Sequence, residues 1–173
     1  MNVSLASTTL TDPTDTEIAE ALLSRERAIL DFYQRVIEQC KFAIPVEKLH
    51  DLKYEHQMSV AALLRIIQRL GATPGTKSAG LKEVKGIPLS AKSESGRRQS
   101  ISLLARAEKC LLKAYSNILK TPGIRDELLN MIDETLLPRV ESSIETLVDL
   151  IDEDRPDSHH VPLASHRFAH VSV

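Results

Sequence analysis

The chain has no tryptophan and only six phenylalanine and tyrosine residues, too few to stack a run of bases. Its net charge is −2, so it lacks the basic excess that grips a phosphate backbone without regard to sequence. Nucleic acid is therefore not an expected partner. No apolar run approaches the ~18 residues that read as a membrane span, and no membrane partner is expected either. The opening stretch, MNVSLASTTLTDPTD, has no basic start followed by an apolar segment, the pattern of a secretory leader. Only two cysteines occur, Cys40 and Cys110, with no second thiol at metal-ligand or redox spacing. Each is expected as a small buried hydrophobe, and reduced thiols place the chain in the cytoplasm. Glycine-rich phosphate fingerprints are missing. Ser100 and Ser102 have no His/Asp setting for a nucleophile, and Arg97, Arg98, Lys82 and Lys85 are expected as solvated charges.

What the sequence does have is helical periodicity. With 173 residues, 42% of them hydrophobic, it can build one core. Residues 1–12 carry no periodicity and are expected as a flexible tail. Asp12-Pro13 has the form of an N-cap and a first-turn proline, opening a helix over about 13–41 whose apolar residues, Ile18, Leu22, Ile29, Leu30, Val36, Ile37 and Cys40, recur at three and four. A second helix is expected over about 45–70, from Pro45 to a stop at Gly71, on Leu49, Leu52, Val60, Leu63, Ile67 and Leu70. Residues 71–95 hold four of the six glycines and two prolines and form a long connection with one short helical piece near Leu81–Val84. A third helix follows over about 96–120. Thr121-Pro122-Gly123 breaks the chain and supplies a new cap and first-turn proline for a fourth helix over about 122–153, which Pro138 should kink. The last residues, 154–173, contain His159, His160, His166 and His170; they are expected as a tail and, on the sharper reading, as a scaffold for metal delivery.

Loop lengths choose the topology. Short connections make each helix pair an antiparallel hairpin. The 71–95 segment, at ~3.3 Å per residue, spans more than a helix of ~39 Å, so it can cross over and start the third helix parallel to the second. The expected fold is all-α: a ferritin-like four-helix bundle of two antiparallel hairpins joined by a long crossover.

An internal repeat supports this. At an offset of 82 positions, Leu22, Glu26, Ile29, Leu30, Tyr33, Val36 and Ile37 fall on Leu104, Glu108, Leu111, Leu112, Tyr115, Ile118 and Leu119. Glu26 and Glu108 each sit mid-stripe, where a charge must be paired, protonated or bound to a metal. At an offset of 80, His56 falls on Leu136 and Lys53 on Asp133. Di-iron bundles need one Glu from each of two helices and Glu-x-x-His from each of the other two. Here the single glutamates are present, but the second helix has Lys53-x-x-His56 and the fourth Asp133-x-x-Leu136. Glu47-x-x-His50 has the right spacing but lies off the apolar stripe, and Glu55 is expected at the solvated edge.

The segment from about Ile18 to Ile151 resembles the small bacterial ferritin-like proteins of unknown function, a family distantly related to rubrerythrins and bacterioferritins. Leu70-Gly71-Ala72-Thr73-Pro74 and Ala107-Glu108-Lys109-Cys110-Leu111-Leu112-Lys113-Ala114-Tyr115 carry the resemblance. It implies the bundle fold and little about activity, because the group has no assigned reaction; true ferritins and rubrerythrins bind two irons, and two of the six ligand positions they use are lost here.

Two readings of the polar cluster stand side by side. In one, Glu26, His56, Glu108 and Asp133 are a degenerate site for iron or another divalent transition metal, serving a non-haem oxidoreductase or an iron-handling protein. In the other they form a buried salt-bridge cluster in which Lys53 supplies the positive charge while Tyr33 and Tyr115 donate hydrogen bonds. The lysine favours the second, because an ammonium among ligands repels a cation. The role expected with it is self-association, a homodimer first, or protein-partner binding; the resemblance adds a stress response. Leu23, Phe32, Leu64 and Ile66, off the main seams, are the apolar residues expected to support association.

Overall fold

A computed structural model describes residues 14–39, 46–75 and 94–153. The expected tails, Cys40, the first interhelical junction, most of the crossover with Leu81–Val84, and the four C-terminal histidines lie outside the described residues. All regular structure among the described residues is helical: α1 (Asp15–Gln39), α2 (Val46–Arg69), α3 (Glu94–Ile118), α4 (Asp126–Met131), a π-helical turn (Ile132–Leu136) and α5 (Leu137–Glu153). No described helix is long and apolar enough to cross a membrane.

The start of α1 is set by Thr14, two residues beyond the expected cap. The Thr14 amide donates to Glu17 Oε2 at 2.8 Å, and the Glu17 amide donates to Thr14 Oγ1 at 3.3 Å. This reciprocal pair satisfies amides that an α-helix leaves bare at its first turn. Asp12 and Pro13 are outside the described residues. At the end of α2, Gly71 has φ 79°, a left-handed conformation that glycine adopts without strain. The expected start of the fourth helix at Thr121-Pro122 is corrected. Gly123 has φ 82°, so no helix can run through it, and the helix opens instead at Asp126 after Arg125. The Thr121 hydroxyl donates back to the Asn117 carbonyl at 3.0 Å, closing α3 rather than opening α4.

Helix α1 packs against α2 and α3, and α5 packs against α3; α2 meets α5 more sparsely. The inward residues of α1, Leu22, Glu26, Ile29, Tyr33 and Val36, follow four-three spacing, as do Leu104, Glu108, Leu111 and Tyr115 of α3. The fourth strip of chain behaves differently. Its buried residues Leu128, Ile132, Leu136 and Val140 are spaced four, four and four. A plain α-helix turns ~100° per residue, so four-residue steps drift by ~40° each and would walk off the core. The π turn takes up that drift: the Leu137 amide reaches back five residues to the Ile132 carbonyl. Pro138, expected as a kink, follows immediately. It has no N–H for the helical ladder, and its ring crowds the preceding turn, so the wider turn sits where the ladder must be interrupted.

Among the described residues, three ion pairs join α2 to the chain after Gly123: Lys48 to Glu153 at 3.1 Å, Glu55 to Arg139 at 3.1 Å and Arg69 to Glu127 at 2.5 Å. Arg125 reaches Asp15 at 3.1 Å, tying the start of α4 to the start of α1. The first residues of the crossover lie on α1, where the Arg27 guanidinium donates to the Gly75 carbonyl.

Candidate functional site

Helices α1, α2 and α3 bring five polar side chains together inside the core. Glu26 and Glu108 are fully buried, and His56 is 2% exposed. His56 stands between the two carboxylates. Its Nδ1 lies 2.7 Å from Glu26 Oε2, and its Nε2 lies 2.7 Å from Glu108 Oε1. The tyrosines brace the glutamates crosswise. Tyr33 of α1 donates to Glu108 Oε1 of α3 at 2.7 Å, while Tyr115 of α3 donates to Glu26 Oε1 of α1. The internal repeat thus has a structural meaning: each copy of the Glu–Tyr pair supplies a carboxylate and satisfies the carboxylate of the other. The Tyr33 ring also lies against the His56 ring, with centroids 5.3 Å apart.

This geometry favours a charged histidine. A neutral imidazole donates from one nitrogen and accepts at the other. Here both nitrogens face carboxylate oxygens, the arrangement that suits a doubly protonated ring donating from each. Burial disfavours the charged ring, but the carboxylates of Glu108 and Glu26 outweigh it and raise the His56 pKa from 6.5 to about 10. Tyr33 is held well above its ordinary value by burial, then by the charges of Glu108 and Glu26. Tyr115 is raised likewise by burial and by Glu26, against a small opposing pull from Arg139. Both phenols therefore stay protonated and act as donors.

Of the seven residues expected at the site, five converge: Glu26, Tyr33, His56, Glu108 and Tyr115. Asp133 does not join them. It is exposed, because the π turn points Ile132 and Leu136 inward and leaves Asp133 on the solvent side. Lys53 is half-buried and bonded elsewhere, its ammonium donating to Gln34 Oε1 at 2.5 Å. The cation between the glutamates is the imidazolium of His56, not Lys53. Sequence reasoning missed Arg139. Its Nε pairs with Glu55, its Nη1 is buried with no hydrogen-bond partner among the described residues, and its charge is felt at Tyr115. The only signal for it was its place one turn after Leu136 at the edge of an apolar stripe.

The donor set does not fit a metal ion. Both imidazole nitrogens and three of the four carboxylate oxygens are committed within the cluster; Glu108 Oε2 alone is buried without a partner. A histidine with a proton on each nitrogen has no lone pair to give a metal. Among the described residues, no three His, Cys, Asp or Glu side chains are arranged to hold one. Glu47 and His50 are both exposed on α2, away from the cluster. No family model, curated protein or solved structure matches this chain.

Proposed function

We propose that this chain is a ferritin-like bundle of two antiparallel hairpins whose central site is held by a proton instead of a metal. On this reading it acts by self-association or by binding a protein partner. The observation that carries the proposal is the pair of 2.7 Å contacts from the two nitrogens of His56 to Glu26 and Glu108. One imidazolium sits where a ferritin-like frame would place cations between its carboxylates. Buried charges are tolerated only when paired and hydrogen-bonded, and the two tyrosines complete that pairing. A cluster built this way supports a fixed packing arrangement rather than turnover: no carboxylate oxygen faces an open cleft, and the histidine has no free nitrogen to abstract a proton.

The ferritin-like assignment draws on the helix order, the 82-position repeat and the length of the segment between α2 and α3. The pairing of Lys48 with Glu153 and of Arg69 with Glu127 supports running α2 against the fourth helical strip. Metal analysis tests the proposal directly. Protein made without a histidine tag under iron-replete conditions should carry no stoichiometric iron, zinc or manganese. About two irons per chain, lost in the Glu26→Ala/Glu108→Ala variant, would overturn it in favour of an oxidoreductase or iron-handling protein.

A further inference from the structure

The outer joint between α1 and α3 is a groove of about 310 Å³. Ile18 and Leu22 of α1 and Ile118 of α3 form its apolar lining, and Ala21 and Ala114 present only methyl groups to it. Ala21 is exposed although its helix neighbours Ile18 and Leu22 are buried. The two α1 charges on the groove, Glu17 and Arg25, are of opposite sign and lie four residues before and four residues after Ala21. Both are exposed. Glu17 uses Oε2 for the Thr14 cap. Within one chain the two side chains are separated by ~12 Å of helix, too far to pair with each other.

We propose that the occupant of this groove is a second copy of the same chain, related by a two-fold axis through Ala21. In an antiparallel pair of α1 helices centred there, each charge lies ~6 Å from the axis. Glu17 of each copy then stands level with Arg25 of the other, and two ion pairs form by symmetry. Self-complementarity of this kind is what a closed two-fold contact requires. Alanine at the centre allows the helices to approach closely, and each helix seats in the groove beside the other copy's α1. The charges set the register, because a parallel arrangement would set Glu17 against Glu17 and Arg25 against Arg25. The inference deepens the self-association part of the proposed function and rests on it.

Sedimentation of the full chain over a concentration series tests both. The expected mass rises towards twice 19.2 kDa between ~1 and ~100 µM. Arg25→Glu should weaken the dimer by roughly tenfold or more, because it sets like charges against each other. The swap Glu17→Arg/Arg25→Glu should restore most of that loss. A second variant does not depend on charge or on the Thr14 cap. In a Cys40→Ser/Cys110→Ser background, Ala21→Cys should form an intermolecular disulfide under mild oxidation, while Gln68→Cys, exposed on α2, should not. A chain that stays monomeric throughout the series overturns both the interface and the self-association reading. A dimer indifferent to Arg25→Glu, in which Ala21→Cys does not cross-link, overturns this interface and leaves self-association standing.

Discussion

Helices α1 and α3 are near copies at their centres, whereas α2 and the α4–α5 strip have diverged. The first pair each bring a buried glutamate and a buried tyrosine. The second pair bring one histidine, His56, where the matching position of the other holds a leucine, Leu136; both are buried. The outcome is a symmetric pair of anions served by a single cation. One imidazole suffices because it has two nitrogens on opposite edges, one for each carboxylate. The contrast extends to the solvent side. The α1/α3 centre is held by charges that water cannot reach. Between α2 and the α4–α5 strip, the polar ties at the two ends are exposed: Lys48 and Glu153 have side chains 42% and 58% accessible, and Arg69 and Glu127 65% and 48%. Ion pairs in these two settings respond differently to loss of a partner: solvent screens the second kind, whereas removing one member of the first leaves a buried charge uncompensated.

The largest expected effect comes from making α2 like α5. His56→Leu removes the shared cation and leaves two buried carboxylates facing each other. It should cost about 3–5 kcal/mol, read as a lower urea midpoint at pH 7 with the slope unchanged. A loss below ~1 kcal/mol would mean that the histidine does not hold the pair.

The same interaction sets a pH window. The folded pKa of His56 is raised above its unfolded value, so its contribution is complete below pH ~6.5 and is lost as pH climbs towards about 10. Tyr33 and Tyr115 are also raised, so their contribution declines in the same direction once unfolded phenols ionise near pH 10. Thermal unfolding followed from pH 6 to 10 should show stability falling through the alkaline range. A flat or rising profile contradicts the imidazolium.

Smaller effects sharpen the symmetry. Tyr33→Phe and Tyr115→Phe each remove one hydrogen bond to a carboxylate and should each cost about 1.5–3 kcal/mol. Each leaves a glutamate holding only its bond to His56, so the two variants should be alike in urea unfolding. A large difference would show that the cross-bracing is unequal. Smallest of all, Lys48→Ala and Arg69→Ala should each cost under ~1 kcal/mol, and added salt should shrink the difference.

Much of this was legible in the sequence. The three- and four-residue spacing located all four helical strips, and Gly71 marked a real stop because its left-handed φ is a backbone requirement that glycine meets. Glu26, His56 and Glu108 stood out because charged or polar residues interrupted apolar stripes at their centres. What the spacing could not show was which direction a residue one position off the stripe would take. Lys53 and Asp133 are each one residue past an inward-facing neighbour. Lys53 turned to Gln34, and Asp133 was carried outward by the π turn. The sign of that turn was present in the four-four-four spacing of Leu128, Ile132, Leu136 and Val140. A search tuned to a 3.6-residue period passes over it. Arg139 was hidden for another reason: a long arginine can lay its stem on the core and send its charge several ångströms from its own helix position.

The protonation state of His56 is the centre of the account, and nitrogen-15 NMR of the histidine rings reads it most directly. Both His56 nitrogens should carry protons, with chemical shifts of an imidazolium that persist to pH 9. A His56 ring that is neutral at pH 7, with one nitrogen bare or bound to a metal, would contradict it.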